Sequence, residues 1–497
     1  MRSGRLVAHV VTSVGANLWL AFVSLLTMPY ILLGLGRPAY GVFAMVSLVS
    51  SHLSNLELGF GHATVRFFAR ATVVGDRRAA QAILETSLAV FSAGGLIAGT
   101  VFLLGSSYLA TSFFVIPADL QREAMTAFRL GALILTCSFL SSFFSSALQA
   151  LGRFAWFNVY RTVAGTTASA ASVVAITLGK GLPGVFLAQA AISLFSVTIL
   201  WLAVVRAHGA PLAPRPHRAT LREMAGFGIL VFASGIAYQW MINGPPLVLS
   251  AMVPAAAIPA FAVPHVVLQR LAVLISAVSL VFFPFASAES AGAGRSRLRA
   301  VFQSHLRLTA MVMGPIAAYL VAFGDTLLGG WVSREFALDA TPCLRLLSVA
   351  AFVLAAGSPA ADVARAQGRP IWVLAYTVCV AAVAVGASIA LIPAHGGAGA
   401  AAALLMGLIV GTVPLVITVA SRLLDLGPGA LLRSLLPPGL AVAVLTGVYV
   451  AGRIASASFF SAVATGAVGT AAYLAAAYSW LLDPRERAAL LRTAGPA

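Results

Sequence analysis

Residues 256–283, AAIPAFAVPHVVLQRLAVLISAVSLVFF, form a long apolar stretch that contains a single charged residue, Arg270. A helix of this length, rising about 1.5 Å per residue, crosses a hydrocarbon core of roughly 30 Å with some tilt. Arg270 would then lie near the middle of the bilayer, where a charge costs about 2.5–3.5 kcal/mol on insertion scales. Such a residue usually faces a bundle interior or a wet cavity, so Arg270 is the first candidate for a functional site.

The composition of the whole chain predicts a polytopic membrane protein. Of its 497 residues, 60% are hydrophobic and 9% are charged, and the mean hydropathy is +0.97. Soluble domains contain about 25% charged residues, so a chain this apolar needs lipid around it. The net charge of +17 is better explained by basic cytoplasmic loops than by nucleic-acid binding, because no basic run lies in a soluble domain.

Fourteen apolar segments predict fourteen transmembrane helices. Continuous apolar runs favour helices over a barrel, whose strands would alternate in segments of about ten residues. The predicted helices span residues 8–34, 40–63, 81–107, 124–150, 155–178, 183–205, 225–252, 256–283, 306–331, 343–366, 370–393, 397–420, 430–452 and 456–482. With these spans, 23 of the 31 basic residues fall on one side and seven on the other, which predicts that both termini are cytoplasmic.

The sequence predicts no cofactor, metal site or ATP site. The three cysteines, Cys137, Cys343 and Cys379, lack the spacing of a metal site or a disulfide framework. No GxxxxGK[ST] phosphate-binding loop is present, and every predicted loop is short. A polysaccharide polymerase or glycosyltransferase would need a large outer loop with catalytic side chains, so we expect a transporter rather than an enzyme.

An internal repeat relates two parts of the chain. Residues 129–181 align with residues 345–397 without gaps, with 13 identities in 53 positions, and both copies contain the pattern GRxxWxxxY. An even number of predicted helices separates the copies, so both have the same orientation in the membrane. We therefore predict two parallel six-helix lobes, at residues 1–210 and 211–421, with helices 13 and 14 following at residues 422–497. Transporters built from repeats often place the substrate between them, near the midplane.

Two sets of short motifs resemble the Wzx-type polysaccharide and O-antigen flippases of the multidrug/oligosaccharidyl-lipid/polysaccharide (MOP) exporter superfamily. The first set comprises Leu35-Gly36, Tyr40-Gly41-Val42-Phe43, Leu56-Glu57-Leu58-Gly59-Phe60-Gly61 and Arg66. The second set comprises Gly324-Asp325, Leu344-Arg345-Leu346-Leu347 and Gln367-Gly368-Arg369. An all-α protein with two MATE-like lobes fits the same superfamily.

The resemblance implies a secondary transporter for polysaccharide biosynthesis and export. It would flip undecaprenyl-pyrophosphate-linked oligosaccharide from the inner to the outer leaflet of the bacterial cytoplasmic membrane by alternating access. The implied partners are this lipid and the membrane lipids. Polysaccharide polymerase or assembly proteins and a coupling ion, H⁺ or Na⁺, are further candidates. A lipid II flippase and a drug/cation antiporter of the same superfamily are alternatives.

Arg270 is the leading candidate for binding the cargo. A fixed guanidinium offsets the hydration that a pyrophosphate loses in the membrane, and it binds phosphate oxygens in a forked geometry. The alternative is a structural pair with a carboxylate or with backbone carbonyls. Glu57 would pair with Arg270 in one state and release it in another. The alternatives are a static salt bridge between the lobes and a carboxylate at the membrane interface.

Charged residues near the cytoplasmic ends of helices form two further groups. Arg66 and Arg70 lie four residues apart, and they would receive headgroups at an inner gate or simply follow the positive-inside rule. Asp362 lies three residues before Arg365, a spacing that predicts a local ion pair.

Uncharged polar residues inside the predicted helices are the remaining candidates for substrate binding. Gln239 and Asn243 share a face of predicted helix 7, His265 and Gln269 share a face of predicted helix 8, and Asn17 lies on predicted helix 1. These side chains would bind sugar hydroxyls or, alternatively, join neighbouring helices. For His265 the alternative is a packed and hydrogen-bonded core residue.

Overall fold

The computed structural model of the chain describes residues 3–54, 58–209, 212–292, 295–455 and 458–476. The α-helices in these residues are α1 (Ser3–Leu35), α2 (Arg37–Ser54), α3 (Leu58–Val74), α4 (Arg77–Tyr108), α5 (Gln121–Ala150), α6 (Phe154–Thr177), α7 (Gly181–His208), α8 (Arg218–Met252), α9 (Pro259–Gly292), α10 (Arg295–Trp331), α11 (Arg334–Ala366), α12 (Pro370–Leu424), α13 (Pro428–Ala455) and α14 (Phe459–Ala476). A π-helical turn at Leu109–Phe113 follows α4, and a 3-10 turn at Ala255–Ala257 precedes α9. The predicted all-α class is confirmed.

Helices long and apolar enough to cross a membrane run through the described part of the chain. Nine segments there meet this description: Gly15–Leu35, Arg77–Phe113, Gln121–Ala150, Gly181–His208, Pro259–Ser276, Ser296–Trp331, Arg334–Ala366, Pro370–Leu424 and Pro428–Arg453. Large apolar side chains on them, such as Phe22, Leu104 and Ile417, are well exposed. Exposed apolar surface of this extent is typical of lipid-facing helices, so the chain is a multi-pass membrane protein. The count of fourteen spans stays a prediction.

Several helices extend further than hydropathy predicts. The helix α3 continues to Val74, α8 begins at Arg218 and α10 begins at Arg295, several residues beyond the predicted apolar limits. Polar and basic turns continue these helices past the apolar span, where hydropathy gives no signal. Residues 55–57 lie outside the described residues, so the helix predicted at residues 40–63 is seen as α2 and α3 on either side of them.

A break inside α12 matches the predicted boundary between helices 11 and 12. Gly396 has φ 53° and ψ −129°, a backbone conformation that residues with a Cβ rarely adopt. The apolar segments predicted at residues 370–393 and 397–420 are therefore two helical stretches that meet at this glycine.

The chain forms two compact units, Met1–Pro259 and Ala260–Ala497. In the first unit, α5 packs against α4 and α7, α1 packs against α6, and α8 packs against α2 and α3. In the second unit, α10 packs against α11, α13 and α14, and α11 packs against α12. Contacts thus group α8 with the first unit, whereas the repeat places it in the second lobe. The division into residues 1–210, 211–421 and 422–497 stays a prediction.

The two copies of the sequence repeat form matching turns between α5 and α6 and between α11 and α12. Gly152 and Gly368 have φ angles of 73° and 69°, a region that a Cβ disfavours. In both copies the next residue is an arginine whose backbone N–H donates to a carbonyl five residues earlier, at 2.8 Å. The matching serines, Ser172 and Ser388, are buried and donate to carbonyls four residues earlier. The common offset therefore reflects a common local structure.

The residues Tyr40-Gly41-Val42-Phe43 position α2 within the first unit. A Cβ on Gly41 would overlap the carbonyl oxygen of Ala255, so only glycine allows this approach of α2 to the 3-10 turn. The Phe43 ring packs against Phe186 on α7 with their centroids 5.6 Å apart. These contacts fix the helix whose last turn carries His52.

Candidate functional site

The predicted site residues are divided between the two units. The first unit contains Asn17, Arg66, Arg70, Gln239 and Asn243, and the second contains His265, Gln269 and Arg270. Glu57 lies outside the described residues, so its exchange with Arg270 stays a prediction.

Arg270 lies on α9, inside the apolar segment Pro259–Ser276. Its side chain is half-buried, and its Nε atom is buried without a hydrogen-bond partner among the described residues. An unpaired donor on a charged group is costly in an apolar environment, so the guanidinium retains a strong capacity to bind an acceptor. The chemistry that satisfies it best is an anionic oxygen.

The other two candidates on α9 are engaged in the fold. His265 is 5% exposed, and its ring stacks on Phe261 with the centroids 5.3 Å apart and the planes 21° apart. His265 and Gln269 both have interaction partners in the structure. The surroundings of His265 are therefore those of a packed residue, one of the two roles considered from the sequence, and its substrate-binding role stays a prediction.

A cavity of about 280 Å³ lies between α2 and α8 in the first unit. It is lined by the apolar residues Val49, Leu53, Ile236 and Leu247 together with His52, Gln239 and Trp240. Gln239 is thus placed in a cavity, and Asn243 is buried one helical turn further along α8. His52 was missed from the sequence, because a single histidine inside a predicted helix gives no sign of the helix that it faces.

Two residues that line this cavity each have a buried nitrogen atom, Gln239 Nε2 and His52 Nε2, without a hydrogen-bond partner among the described residues. His52 Nδ1 lies 3.0 Å from the carbonyl oxygen of Leu48. Because a carbonyl can only accept, Nδ1 carries the proton and Nε2 of the neutral ring is an acceptor. The ring of Trp240 packs edge-on against His52 with the centroids 5.8 Å apart. Both nitrogen atoms therefore lie beneath the surface of a mostly apolar cavity, and Trp240 contributes an aromatic wall.

Asn17 connects two helices of the first unit. Its Oδ1 accepts a hydrogen bond from the guanidinium of Arg161, which links α1 to α6. The same guanidinium lies over the Phe157 ring, 5.7 Å from its centroid. Polar side chains often join membrane helices in this way, which is one of the two roles considered for Asn17. Substrate binding by Asn17 stays a prediction.

The predicted gate arginines lie on an exposed face of α3. Arg70 Nη1 is 3.9 Å from Glu223 Oε1 on α8, and both side chains are mostly exposed. Arg66 is also exposed and has an interaction partner. An ion pair this exposed contributes little to stability, so it does not lock the two helices together. The gating role stays a prediction.

A buried ionisable cluster lies in the second unit. The predicted ion pair is confirmed, because Asp362 accepts a hydrogen bond from Arg365 at 2.9 Å. Asp362 is 3% exposed, and His305 Nδ1 on α10 lies 3.9 Å from its second oxygen. The His305 ring stacks on Phe282 with the centroids 4.5 Å apart. Sequence reasoning missed His305, because α10 and α11 meet through tertiary packing that spacing does not reveal.

Comparison with known families settles the family of the chain. Residues 35–338, more than half of the sequence, match the family model described as "Polysaccharide biosynthesis protein". The chain belongs to this family. No curated protein sequence matches the chain.

Solved structures with the same fold are transporters and a lipid flippase. The lipid II flippase MurJ, in an inward closed conformation, matches with a TM-score of 0.76 and 12% identity, covering 96% of this chain and 100% of MurJ. An inward-facing multidrug resistance MATE family transporter of the MOP superfamily matches with a TM-score of 0.68 and 16% identity, covering 82% of this chain and 98% of that one. A MOP superfamily transporter from Pyrococcus furiosus matches with a TM-score of 0.55 and 16% identity, covering 82% and 96%.

These likenesses establish the MATE/MurJ fold for this chain. The predicted MATE-like architecture is confirmed, and so is the resemblance to the Wzx-type flippases of the MOP superfamily, on family and fold together. The likeness to the solved structures is one of fold, so their cargo is not carried over with it.

Proposed function

We propose that this chain flips undecaprenyl-pyrophosphate-linked oligosaccharide from the inner to the outer leaflet of the bacterial cytoplasmic membrane by alternating access. A family described by polysaccharide biosynthesis and a fold found in transporters support a membrane-crossing step in glycan assembly. The observation that carries the choice of cargo is the buried and unpaired Nε of Arg270.

A pyrophosphate headgroup that leaves water needs a fixed cation to replace its hydration. Arg270 supplies one on a membrane-spanning helix, and its guanidinium stays charged and binds phosphate oxygens through two parallel hydrogen bonds. A cationic drug would be repelled by the same group. Arg270 therefore favours an anionic lipid over a drug/cation exchange as the transported species.

The orientation and the partners follow from the same proposal. Both termini would be cytoplasmic, because most basic residues fall on the side of the termini in the predicted arrangement. Cargo would arrive from the inner leaflet and leave to an outer-leaflet polymerase or another assembly protein. A gradient of H⁺ or Na⁺, or consumption of the product outside, would drive the step.

Lipid II is the second candidate cargo. The MurJ structure covers 96% of this chain, whereas the MATE transporter covers 82%, so the lipid flippase accounts for more of the fold. The family description favours a polysaccharide precursor instead. The two cargoes differ in their attached sugars, which lipid analysis distinguishes.

Lipid extracts from a strain that lacks the gene test this proposal. We expect mass spectrometry to detect accumulated undecaprenyl-pyrophosphate oligosaccharide, which the wild-type gene clears and Arg270→Ala does not. Arg122→Ala, which removes an exposed arginine from α5, is the matched control and should clear the lipid as the wild type does. Accumulated lipid II would identify the second candidate, and an unchanged lipid pool would contradict flipping.

A further inference from the structure

We propose that a pocket between α5, α6 and α7, on the side of the first unit that is predicted to be cytoplasmic, binds the phosphate group of an anionic phospholipid of the inner leaflet. The volume of the pocket is about 360 Å³, within the range of about 300–1,000 Å³ that is typical of small-molecule sites. Arg153 and Arg206 would bind the phosphate oxygens. This inference goes beyond the proposed function and does not depend on which lipid the chain transports.

Two arginines from different helices line the pocket, and both are exposed. Arg153 lies at the start of α6, and Arg206 lies in the last turn of α7. None of the described lining residues is acidic, and neither guanidinium has a hydrogen bond or an ion pair within the described part of the chain. Two like charges at one pocket favour a bound anion, and phosphate oxygens match the forked donors of arginine.

The rest of the pocket wall is apolar, which favours a lipid over a free phosphate ion. Leu148, Ile199 and Leu202 line it together with two alanines. Ile199 lies seven residues before Arg206 on α7, which is about 10 Å along the helix axis at 1.5 Å per residue. Acyl chains would continue along this wall from a phosphate held at the arginines, whereas inorganic phosphate would leave the wall uncovered.

Trp156 indicates that the pocket lies at the depth of the lipid headgroups. It follows Arg153 by three residues on the first turn of α6, lines the pocket and is 57% exposed. Tryptophan side chains are enriched where the apolar core meets the headgroups, and basic pockets between membrane helices on the cytoplasmic side bind acidic lipid headgroups. In the predicted arrangement both pocket arginines lie on that side.

The second copy of the sequence repeat uses its arginines differently. At the offset of 216 residues that relates residue 129 to residue 345, the counterparts of the two pocket arginines are Arg369 and Arg422. Arg369 lies over the ring of Trp372, 5.2 Å from its centroid, and Trp372 packs against a buried apolar cluster. Trp156 and Arg153 make no such contact with each other or with any other described ring. The first unit therefore leaves to a ligand what the second unit uses within its own fold.

Photo-labelling of the full chain tests this site. The purified wild type in detergent is incubated with phosphatidylglycerol that carries a diazirine near the headgroup end of one acyl chain, and labelled peptides are identified by mass spectrometry. We expect label on the segment of α7 that contains Ile199 and Leu202. Phosphatidylethanolamine with the same diazirine should label this segment at least about tenfold less, because its ammonium group would lie beside two guanidinium groups.

Substitutions connect the label to the two arginines. Arg153→Gln together with Arg206→Gln should lower labelling by phosphatidylglycerol at least about tenfold, because a hydrogen bond to a charged group is worth roughly that factor in affinity. The matched control, Arg369→Gln together with Arg422→Gln, removes the same charge from the corresponding positions. It should label within about twofold of the wild type, as expected of surface substitutions away from the site.

Competition on the wild-type chain identifies the occupant without any substitution. Unlabelled phosphatidylglycerol should displace the photoreactive lipid, whereas the same concentration of inorganic phosphate should not. Displacement by inorganic phosphate would assign the pocket to a free anion, and stronger displacement by undecaprenyl pyrophosphate than by phosphatidylglycerol would assign it to the transported lipid; either result would overturn the proposal.

Two further results would overturn it as well. These are equal labelling by the two phospholipids and undiminished labelling of the variant that lacks both Arg153 and Arg206. The proposed function is measured separately, by the lipid pool of the deletion strain. A failure of the phospholipid site therefore leaves flipping standing, and a failure of flipping leaves the site to its own measurement.

Discussion

The buried polar side chains of the two units differ in kind. In the first unit, ionisable residues such as His52 and Arg161 bury single nitrogen atoms, and the described polar residues that are buried as a whole carry hydroxyls and amides: Thr64, Thr86, Ser87, Ser106, Asn158, Ser172, Ser196, Gln239, Asn243 and Ser250. In the second unit, buried hydroxyls are accompanied by the ionisable residues His265, His305 and Asp362. Charge in an apolar interior is costly and persists where it is paired or used, so the difference indicates different tasks.

The comparison suits a cargo that has two chemically different parts. Neutral hydroxyls and amides recognise sugar hydroxyls with a modest cost of desolvation. An anionic headgroup needs a cation, and the unpaired guanidinium nitrogen of Arg270 belongs to the second unit. Under the proposed function, Arg270 of the second unit would contact the pyrophosphate.

Removing the cation from the second unit should have the largest effect. Arg270→Ala is expected to slow clearance of the lipid-linked glycan at least about 30-fold, because truncating one partner of a buried charge pair costs about 2–5 kcal/mol. Arg270→Lys keeps the charge but loses the forked geometry, so its clearance rate should fall between those of the wild type and Arg270→Ala. Pulse-chase labelling of the glycan measures these rates. A rate for Arg270→Ala within twofold of the wild type would remove the distinction between the units.

Replacing a buried polar residue with leucine should affect the two units differently. Asp362→Leu is expected to lower the free energy of unfolding by about 1–3 kcal/mol, because the hydrogen bond between its buried carboxylate and the charged Arg365 is lost. Gln239→Leu should change it by less than about 1 kcal/mol, because the replaced Nε2 already lacks a partner. Thermal unfolding of the purified protein in detergent compares them. Equal losses would show that the two environments are alike.

Close packing of neutral residues in the first unit predicts a loss of stability similar to that of Asp362→Leu, but with a purely steric cause. Gly41→Ala places a Cβ against the backbone of Ala255, which cannot move away as a side chain can, and should cost about 1–3 kcal/mol of stability. Gly105→Ala on α4 meets open space and should be neutral or stabilising by up to about 1 kcal/mol. The same unfolding measurement applies. If both variants unfold at the same temperature as the wild type, α2 does not approach the backbone of Ala255 as closely as described.

The half-exposed ion pair of the second unit should have the smallest effect. Arg453 on α13 bonds Asp325 on α10, with roughly a third of each side chain exposed. Arg453→Met is expected to change stability by no more than about 1 kcal/mol, because solvent screens such pairs. A midpoint shift larger than that of Asp362→Leu would mean that exposed charges, rather than buried ones, distinguish this unit.

The fold was predictable from the sequence where one physical signal dominated. Long apolar segments predicted membrane helices, and the common offset of the repeat predicted the matching turns at Gly152 and Gly368. Helix ends such as Arg218 and Arg295 were not predictable from hydropathy, because polar turns continue a helix without adding apolar residues. Short motifs predicted the resemblance to the MOP superfamily, whose members composition alone does not distinguish from other transporters.

The candidate site was predictable only in part. The four-residue spacing of Gln239 and Asn243 placed them on one face, and the structure buries both. The partners that give Gln239 and Asp362 their environments, His52 and His305, lie far away in the sequence and meet them through helix packing. Spacing along one helix carries no information about such contacts.

Flipping in a reconstituted system tests the central claim most directly. The purified chain is placed in vesicles that contain lipid-linked oligosaccharide extracted from the deletion strain, and a membrane-impermeant glycosidase measures how much glycan becomes accessible from outside. We predict that wild-type protein makes the inner pool accessible with time, whereas Arg270→Ala protein leaves it as protected as in protein-free vesicles. A wild-type protein that behaves like protein-free vesicles, or an Arg270→Ala protein that behaves like the wild type, would contradict Arg270-dependent flipping.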